Sequence, residues 1–452
     1  MKTLDYNAVI IGFGKGGKTL AGKLAAAGKK VALVEKDSGM YGGTCINVGC
    51  IPTKSLIHSA ASVPADADFE EKARAYRAAV EEKRRLTGML RKKNYDKLAV
   101  HPNITVYDGI GRFVGPLQVE VQTEQEILLL KGEQVFINTG STPRLPAISG
   151  LTGTDGVYTS AGLMDVEELP KHLVIIGGGY IGLEFASMFR NFGSEVTVLQ
   201  DGGKFLPKED EDIADEIQKL LEAQGIQFRL GAKIEKVEKG PAVIYEWQGK
   251  SCREEADAVL VATGRVPNTK DLNCEAAGVR LTSRGAVEVD AFLRTSAPNV
   301  WAMGDVTGGR QHTYMSLDDF RIVWGQLLGE SCYDADKRPN IPYSVFLSTP
   351  FSRVGLNERE AKEAGYAVKI AKLPASAIPK AQVLQAPEGL LKAVIEEATG
   401  KILGVMLLCE ESYEMINTVK LAMDLEAGYP VLRDQIFTHP TMSEALNDLF
   451  AI

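Results

Sequence analysis

Cysteine, histidine and tryptophan are scarce in this chain: six, five and three among 452 residues. So few cysteines exclude a disulfide-stapled scaffold, which concentrates more than ~8 % cysteine in a short sequence. Long hydrophobic runs are missing too. No stretch approaches the ~18 consecutive apolar residues of a membrane span, and no membrane partner is expected. The apolar part of MKTLDYNAVIIGFG at the N-terminus is too short for a secretory signal and passes straight into a glycine loop. The expected location is therefore cytoplasmic. Positive charge is also in deficit. The net charge of −8 leaves no electrostatic footprint for nucleic acid or an anionic membrane. The most basic segment, EEKRRLTGMLRKKNYDK at 81–97, interleaves acids and apolar residues at helical spacing and reads as a solvated helix face.

Glycine, by contrast, is plentiful at 45 residues, with no collagen-like period and no low-complexity tract. The length suggests two to four domains, enough to enclose cofactors. Two of the cysteines, Cys45 and Cys50, stand five positions apart in GGTCINVGCIPTK at 42–54. An ideal helix would separate them by at least ~7.5 Å along its axis, whereas a disulfide needs Cα atoms within ~7 Å. Gly49 and Pro52 supply the distortion that could bring the sulfurs together. Lys54, four residues beyond Cys50, shares its face if a helix follows. Cytoplasmic disulfides are usually catalytic rather than structural, so the pair reads as redox-active. Cys252, Cys274, Cys332 and Cys409 are scattered and are expected to be ordinary buried or half-buried thiols.

The segment YNAVIIGFGKGGKTLAGKLAAAGKKVALVEKD carries a β-branched strand, then Gly12-x-Gly14-x-x-Gly17, an Ala/Leu helix and a second strand ending at Glu35. Gly12 allows the tight turn, Gly14 lets the backbone approach a pyrophosphate, and Gly17 packs helix against strand. The helix N-terminus faces the diphosphate and Glu35 accepts the ribose hydroxyls. The pattern recurs in HLVIIGGGYIGLEFASMFRNFGSEVTVLQ with Gly177, Gly179 and Gly182, and Gln200 stands where Glu35 stood. Apolar strands ending in Thr-Gly close both units, VFINTG at Gly140 and VLVATG at Gly264. Two dinucleotide sites with a cysteine pair after the first imply electron flow between two dinucleotides and a dithiol.

A third segment, NVWAMGDVTGG, ends an apolar strand at Gly304-Asp305, and QHTYMSLDDFRIVWGQLLG after it can form a helix. An acid there can hold a flavin's ribityl hydroxyl, while the helix N-terminus favours negative charge on the reduced ring. From about 337 onward the texture changes. GLLKAVIEEATGKILGVMLL reads as a hairpin around Thr399-Gly400, in a separate α+β region that carries HPTMSE.

Together these residues resemble the pyridine-nucleotide–disulfide oxidoreductases, over essentially the whole chain. The resemblance implies an α/β fold with two Rossmann-like dinucleotide-binding domains and a C-terminal α+β dimerisation domain. Residues 1–145 and 267–336 would form the FAD-binding domain, 146–266 the NAD(P)H-binding domain and 337–452 the dimerisation domain. It implies FAD in the first unit, with Gly43 and Thr44 beside it, and NADH or NADPH as electron donor in the second. Cys45 matches the interchange thiol, Cys50 the thiol facing the flavin, and Lys54 with Glu184 the ion pair beside it. Tyr180 matches the aromatic gate over the flavin. His439 and Glu444 match an acid–base pair donated by the other subunit of a homodimer. The histidines at 58, 101, 172 and 312 have no such motif around them and read as structural or surface residues.

MYGGTCINVGCIPTKSLIH, WAMGDVTGG, SLDDFRIV and QIFTHPTMSEALNDLF further resemble the RclA-like branch, often labelled mercuric-reductase-like. That resemblance implies a small oxidant or disulfide substrate, with hypothiocyanous acid or related chlorine-derived oxidants leading. Copper(II) reduction, a dihydrolipoamide or glutathione-type reductase, and a slowly turning redox sensor are the alternatives. The C-terminal vicinal cysteine pair of mercuric reductase is missing, since the last cysteine is Cys409, and no resident metal is expected. Gln200 replaces the acid that favours NADH, yet no arginine follows closely for a 2′-phosphate, so donor choice stays open between NADH and NADPH.

Overall fold

The computed structural model describes residues 1–330 and 332–452. Strand Lys2–Ile11 is the axis of the first sheet. Val31–Glu35 pairs parallel on one side of it and Ile127–Ile137 parallel on the other, with Ile104–Asp108 outside Val31–Glu35. Every residue of Val31–Glu35 is buried, as a parallel strand covered on both faces must be. Strand Val300–Ala302 returns late in the chain to pair with Ile127–Ile137, which brings the Gly304-Asp305 turn to the tips of the first unit.

The second sheet repeats the plan. Ile226–Leu230, Glu195–Gln200, His172–Ile176 and Ala258–Val261 lie side by side in that order, all parallel. In both units the turn glycine has a positive φ, 106° at Gly12 and 113° at Gly177. A Cβ at Gly12 would sit 2.6 Å from the carbonyl carbon of Asn138, and one at Gly177 2.5 Å from the carbonyl oxygen of Ala262. Glycine is required because the closing strand runs against the turn.

The C-terminal region is a five-stranded sheet in the order Tyr343–Val345, Phe351–Gly355, Ile402–Leu408, Leu390–Glu396, Val368–Pro374. Its neighbouring strands run antiparallel, and Thr399-Gly400 turns the hairpin, with φ 71° at Gly400. One apolar core joins the helices after the cysteines to the second unit and this sheet, through Leu56, Tyr76, Phe185, Phe351 and Met406.

The basic segment 81–97 lies within the helix Phe69–Ala99, which begins with a capping box between Asp68 and Glu71. That helix is not solvated throughout. Lys83 is buried and ion-paired to Asp165, because this side of the helix packs toward the second unit. Among the remaining cysteines, Cys274 and Cys409 are buried and Cys252 is half-buried. Cys332, however, is exposed rather than buried, since it lies in a turn outside every core cluster. No helix among the described residues is long and apolar enough to cross a membrane.

Candidate active site

The carboxylate of Glu35, at the end of its strand, accepts from the N–H of Phe13 and of Lys36, both at 2.9 Å. Burial pushes its pKa up and these N–H groups pull against that. Gln200 makes the corresponding contact in the second unit, its Oε1 accepting from Gly178 at 2.7 Å. Gly43, at φ 85°, lies so close to the first glycine loop that a Cβ there would come within 2.8 Å of the Gly14 Cα.

A short helix, Thr44–Asn47, carries Cys45. It stops at Val48, and Gly49 (φ −127°, ψ −119°) redirects the chain into the helix Cys50–Ala61. The two cysteines therefore do not share one continuous helix, and their thiols come within hydrogen-bonding reach. Both are free thiols here. The Cys50 thiol donates to Cys45, which draws the Cys45 pKa down to about 6, helped by Thr313 and by the ammonium groups of Lys18 and Lys54. Cys50 is pushed up, first because it bonds that thiolate and then by burial. The two thiols are thus pushed in opposite directions, Cys45 toward thiolate and Cys50 toward thiol.

Lys54 follows one turn along the helix. Its Nζ donates to both Glu184 oxygens at 2.8 and 2.7 Å, and it lies 4.7 Å from the centre of the Phe346 ring. Glu184 also accepts from the N–H of Phe346 at 3.0 Å. Asp305, in the turn after Val300–Ala302, accepts from the Ser141 hydroxyl at 2.6 Å. Tyr180 opens the helix Tyr180–Phe192 and donates through its hydroxyl to Glu209 at 2.5 Å.

Several residues in this arrangement carried no signal in the sequence motifs. Asn138 is the most connected: its Oδ1 accepts from Gly17 N at 2.8 Å and its Nδ2 donates to the Met303 carbonyl at 2.7 Å. It ties the first glycine loop to the turn that presents Asp305. Its place just before Thr139-Gly140 was the available clue. Arg265 donates to Ser141 Oγ at 2.8 Å, and burial lowers its pKa while Asp305 raises it. Asp319 accepts from Gly304 N at 2.6 Å and is ion-paired to Arg338. Lys18, pushed down to about 8 chiefly by burial, donates to Asn94 Oδ1 at 2.6 Å. His312, read from the sequence as structural or surface, lines the cavity and stacks on Tyr314.

A single cavity of about 1870 Å³ gathers most of these groups. Gly12, Gly14, Glu35, Gly43, Thr44 and Gly140 line it at one end. Cys45, Cys50, Lys54, Glu184, Tyr180, Gly304 and Asp305 also reach it. Its volume exceeds the ~300–1,000 Å³ of a small-ligand pocket, and its length runs from a strand-tip acid to a dithiol. A flavin dinucleotide fits this donor set: backbone N–H groups and a helix N-terminus for the diphosphate, Glu35 for ribose, Asp305 for the ribityl chain. Gly17 packs inside the loop, where a Cβ would come within 2.6 Å of the Gly12 carbonyl. Gly177, Gly179, Gly182, Gln200 and Gly264 lie outside this wall, at the tips of the second sheet. His439 and Glu444 bond each other at 2.9 Å with the imidazole 73 % exposed, and neither lines the cavity of its own chain.

Residues 6–319 match the family model described as pyridine nucleotide-disulphide oxidoreductase, and residues 341–450 match that family's dimerisation domain. The chain is 50% identical over 447 residues to the probable pyridine nucleotide-disulfide oxidoreductase RclA of Escherichia coli, covering 99% of each. It is 34% identical to a mercuric reductase of Lysinibacillus sphaericus, covering 98% of this chain and 81% of that one. A solved Cu(II) complex of the HOCl-induced flavoprotein disulfide reductase RclA from E. coli superimposes with a TM-score of 0.93 at 49% identity, covering 99% of both chains. The chain belongs to the pyridine nucleotide-disulphide oxidoreductase family, and is a flavoenzyme that uses FAD and NAD(P)H to reduce a sulfur-containing acceptor.

Proposed function

We propose that the enzyme reduces hypothiocyanous acid or a related chlorine-derived oxidant in the cytoplasm, through the Cys45–Cys50 pair. The observation that carries this reading is that the free thiols of Cys45 and Cys50 line one cavity together with the Lys54–Glu184 ion pair. Cys50 and the nearby ammonium groups draw the Cys45 pKa down, and a thiolate is the nucleophile this chemistry needs. The flavin, when bound, supplies the two electrons from nicotinamide that keep the pair reduced. Cys45 attacks the electrophilic sulfur, forming an S–S bond as hydroxide leaves. Cys50 then attacks the Cys45 sulfur, its proton passing to the imidazole of the partner subunit's His439 that has just protonated the hydroxide; thiocyanate leaves, and the pair becomes a disulfide. Lys54, held by Glu184, keeps a positive charge near the thiolate. The proton for hydroxide comes from the partner subunit's His439, oriented by Glu444 as in the pair described above, which makes the working unit a homodimer.

Reoxidation of the two-electron-reduced enzyme, followed by stopped flow with hypothiocyanous acid, lipoamide, glutathione disulfide and copper(II), tests the substrate. Hypothiocyanous acid is expected to react fastest, and faster reaction with either disulfide would refute the assignment. Copper(II) is the second reading, favoured by the relative solved with Cu(II) bound and by the affinity of thiolates for soft metals. The shared site has its own test. Equal amounts of Cys45→Ser and His439→Ala chains, mixed at random, form about half mixed dimers with one intact site each. Turnover of roughly a quarter of wild type is expected. Recovery of only the parental rates means that His439 serves its own chain.

A further inference from the structure

The side chain of Glu209 is fully buried. It lies in the loop between the strand Glu195–Gln200 and the helix Glu211–Ala223. One of its oxygens, Oε1, accepts from two phenols, Tyr180 at 2.5 Å and Tyr343 at 2.6 Å, whose hydroxyls are 3.3 Å apart. The other, Oε2, accepts from Arg353 at 3.1 Å. Arg353 is itself buried, with a second ion pair to Glu360 and a bond to the Lys208 carbonyl at 3.2 Å. A buried carboxylate is tolerated only when paired and hydrogen-bonded. Arg353 answers its charge, and the phenols fill its remaining acceptor positions. Burial raises the pKa of both phenols, so both stay protonated donors.

The placement gives this cluster a direction. The Tyr180 and Tyr343 rings, 5.6 Å apart between centroids, face the cavity beside Glu184, while Glu209 stands behind them and does not line it. The loop that carries Glu209 begins at Asp201, directly after Gln200. Its far end is anchored, because Asp210 is ion-paired to the buried Lys392 at 2.9 Å and accepts from the N–H of Glu358 at 3.0 Å. Glu209 is therefore a fixed point against which the Tyr180 hydroxyl is held.

We infer that Glu209 is a latch for Tyr180: it holds the ring across the cavity wall, and nicotinamide enters only when the Tyr180–Glu209 hydrogen bond breaks. This rests on the reading of Tyr180 as the ring that nicotinamide displaces. Glu209 is a positioning residue, acting through Tyr180. The apparent dissociation constant of the nucleotide is then the intrinsic one divided by the fraction of molecules with the latch open. A hydrogen bond to a charged acceptor shifts such an equilibrium by roughly tenfold or more. Loosening the latch tightens nucleotide binding.

The test is equilibrium titration of the oxidised holoenzyme with NAD+ and with NADP+, which needs neither turnover nor an acceptor. Tyr180→Phe keeps the ring and removes the hydroxyl, and is expected to tighten binding about tenfold. Glu209→Gln, which leaves only a neutral acceptor for the phenol, is expected to act in the same direction, and the double variant to bind no tighter than the tighter single one, because both act on the same bond. Tyr343→Phe leaves Tyr180 as the sole phenol on Oε1 and must not tighten binding. That contrast between the two tyrosines decides the matter even if Glu209→Gln fails to fold. Unchanged or weaker binding in Tyr180→Phe, or equal tightening in Tyr343→Phe, overturns the latch. A wrong substrate assignment appears instead in the oxidant panel and leaves these dissociation constants as they are.

Discussion

At the end of its second strand the first dinucleotide unit carries Glu35, and the second carries Gln200. Both side chains hold the glycine turn through a backbone N–H. The carboxylate is acceptor-only, so beyond its bonds from the N–H groups of Phe13, Lys36 and Asp37 it can take ribose hydroxyls but not a phosphate. The amide both accepts and donates, and its Nε2 already points to Asp201 at 3.4 Å. A second difference lies on the closing strands. Asn138 and Ala262 occupy equivalent places, each with its N–H on the first strand of its unit, at 2.8 Å to Ile11 and 2.8 Å to Ile176. Asn138 adds a side chain that fastens the glycine loop to the Asp305 turn, and Ala262 has none to add. The first unit is therefore walled in by the cysteine segment and by the strand Val300–Ala302, which pairs with Ile127–Ile137, while the second loop is held by Gln200 alone of these two contacts. Closely similar turns, φ 106° at Gly12 and 113° at Gly177, thus sit in a loop fastened on two sides in one unit and on one side in the other.

The largest effect that separates the units comes from the thiols, which only the first unit carries. Cys45→Ser is expected to lower turnover by roughly a thousandfold or more, as loss of a nucleophile does. It also removes the neighbour that raises the Cys50 pKa, so Cys50 becomes the thiolate and a long-wavelength absorption band is expected beside the flavin. Cys50→Ser should lack that band, and equal spectra would refute the assignment of roles. In the wild type, alkylation of the reduced pair should rise with pH around about 6, the pKa of Cys45. A rise only near pH 9 would mean that the two thiols do not share a proton.

Next comes Asn138→Ala, which leaves Gly17 N and the Met303 carbonyl without partners. Two such orphaned groups cost roughly 2–6 kcal/mol, and the variant should purify with little flavin and a lowered melting temperature. Ala262→Asn probes the other side of the comparison and should not change flavin content. If Asn138→Ala retains flavin like wild type, the fastening is not what holds the first nucleotide.

The smallest effect belongs to Gln200→Glu. An added acceptor for ribose hydroxyls and a repulsion toward phosphate should shift kcat/KM toward NADH by roughly tenfold, against wild-type discrimination under ~100-fold. Unchanged kcat/KM with both donors would show that Gln200 does not face the ribose.

Much of this architecture was legible from spacing. Gly12, Gly14 and Gly17 with Glu35, and the second set with Gln200, mark strand–turn–helix–strand units because tight turns and backbone approach leave few residue choices. The cysteine pair was readable for a similar reason, since Gly49 breaks the helix where the thiols need it broken. Asn138, Asp319, Arg338 and Glu209 were not readable. Each is a common polar residue with no local pattern, and its value comes from partners such as Met303, 165 residues from Asn138, and Tyr343, 134 residues from Glu209.

The chain's own order of residues determined the two nucleotide units, the dithiol of the first and the Lys54 position, because those features are set by φ, by helical period and by short-range chemistry. Only the tertiary structure decided which charged groups lower the Cys45 pKa, which carboxylate is buried behind Tyr180, and that His439 stands outside the cavity of its own chain. The physical reason is that a pKa, a desolvated charge and a shared wall depend on what comes within a few ångströms through space, and those neighbours are fixed by folding rather than by adjacency along the chain.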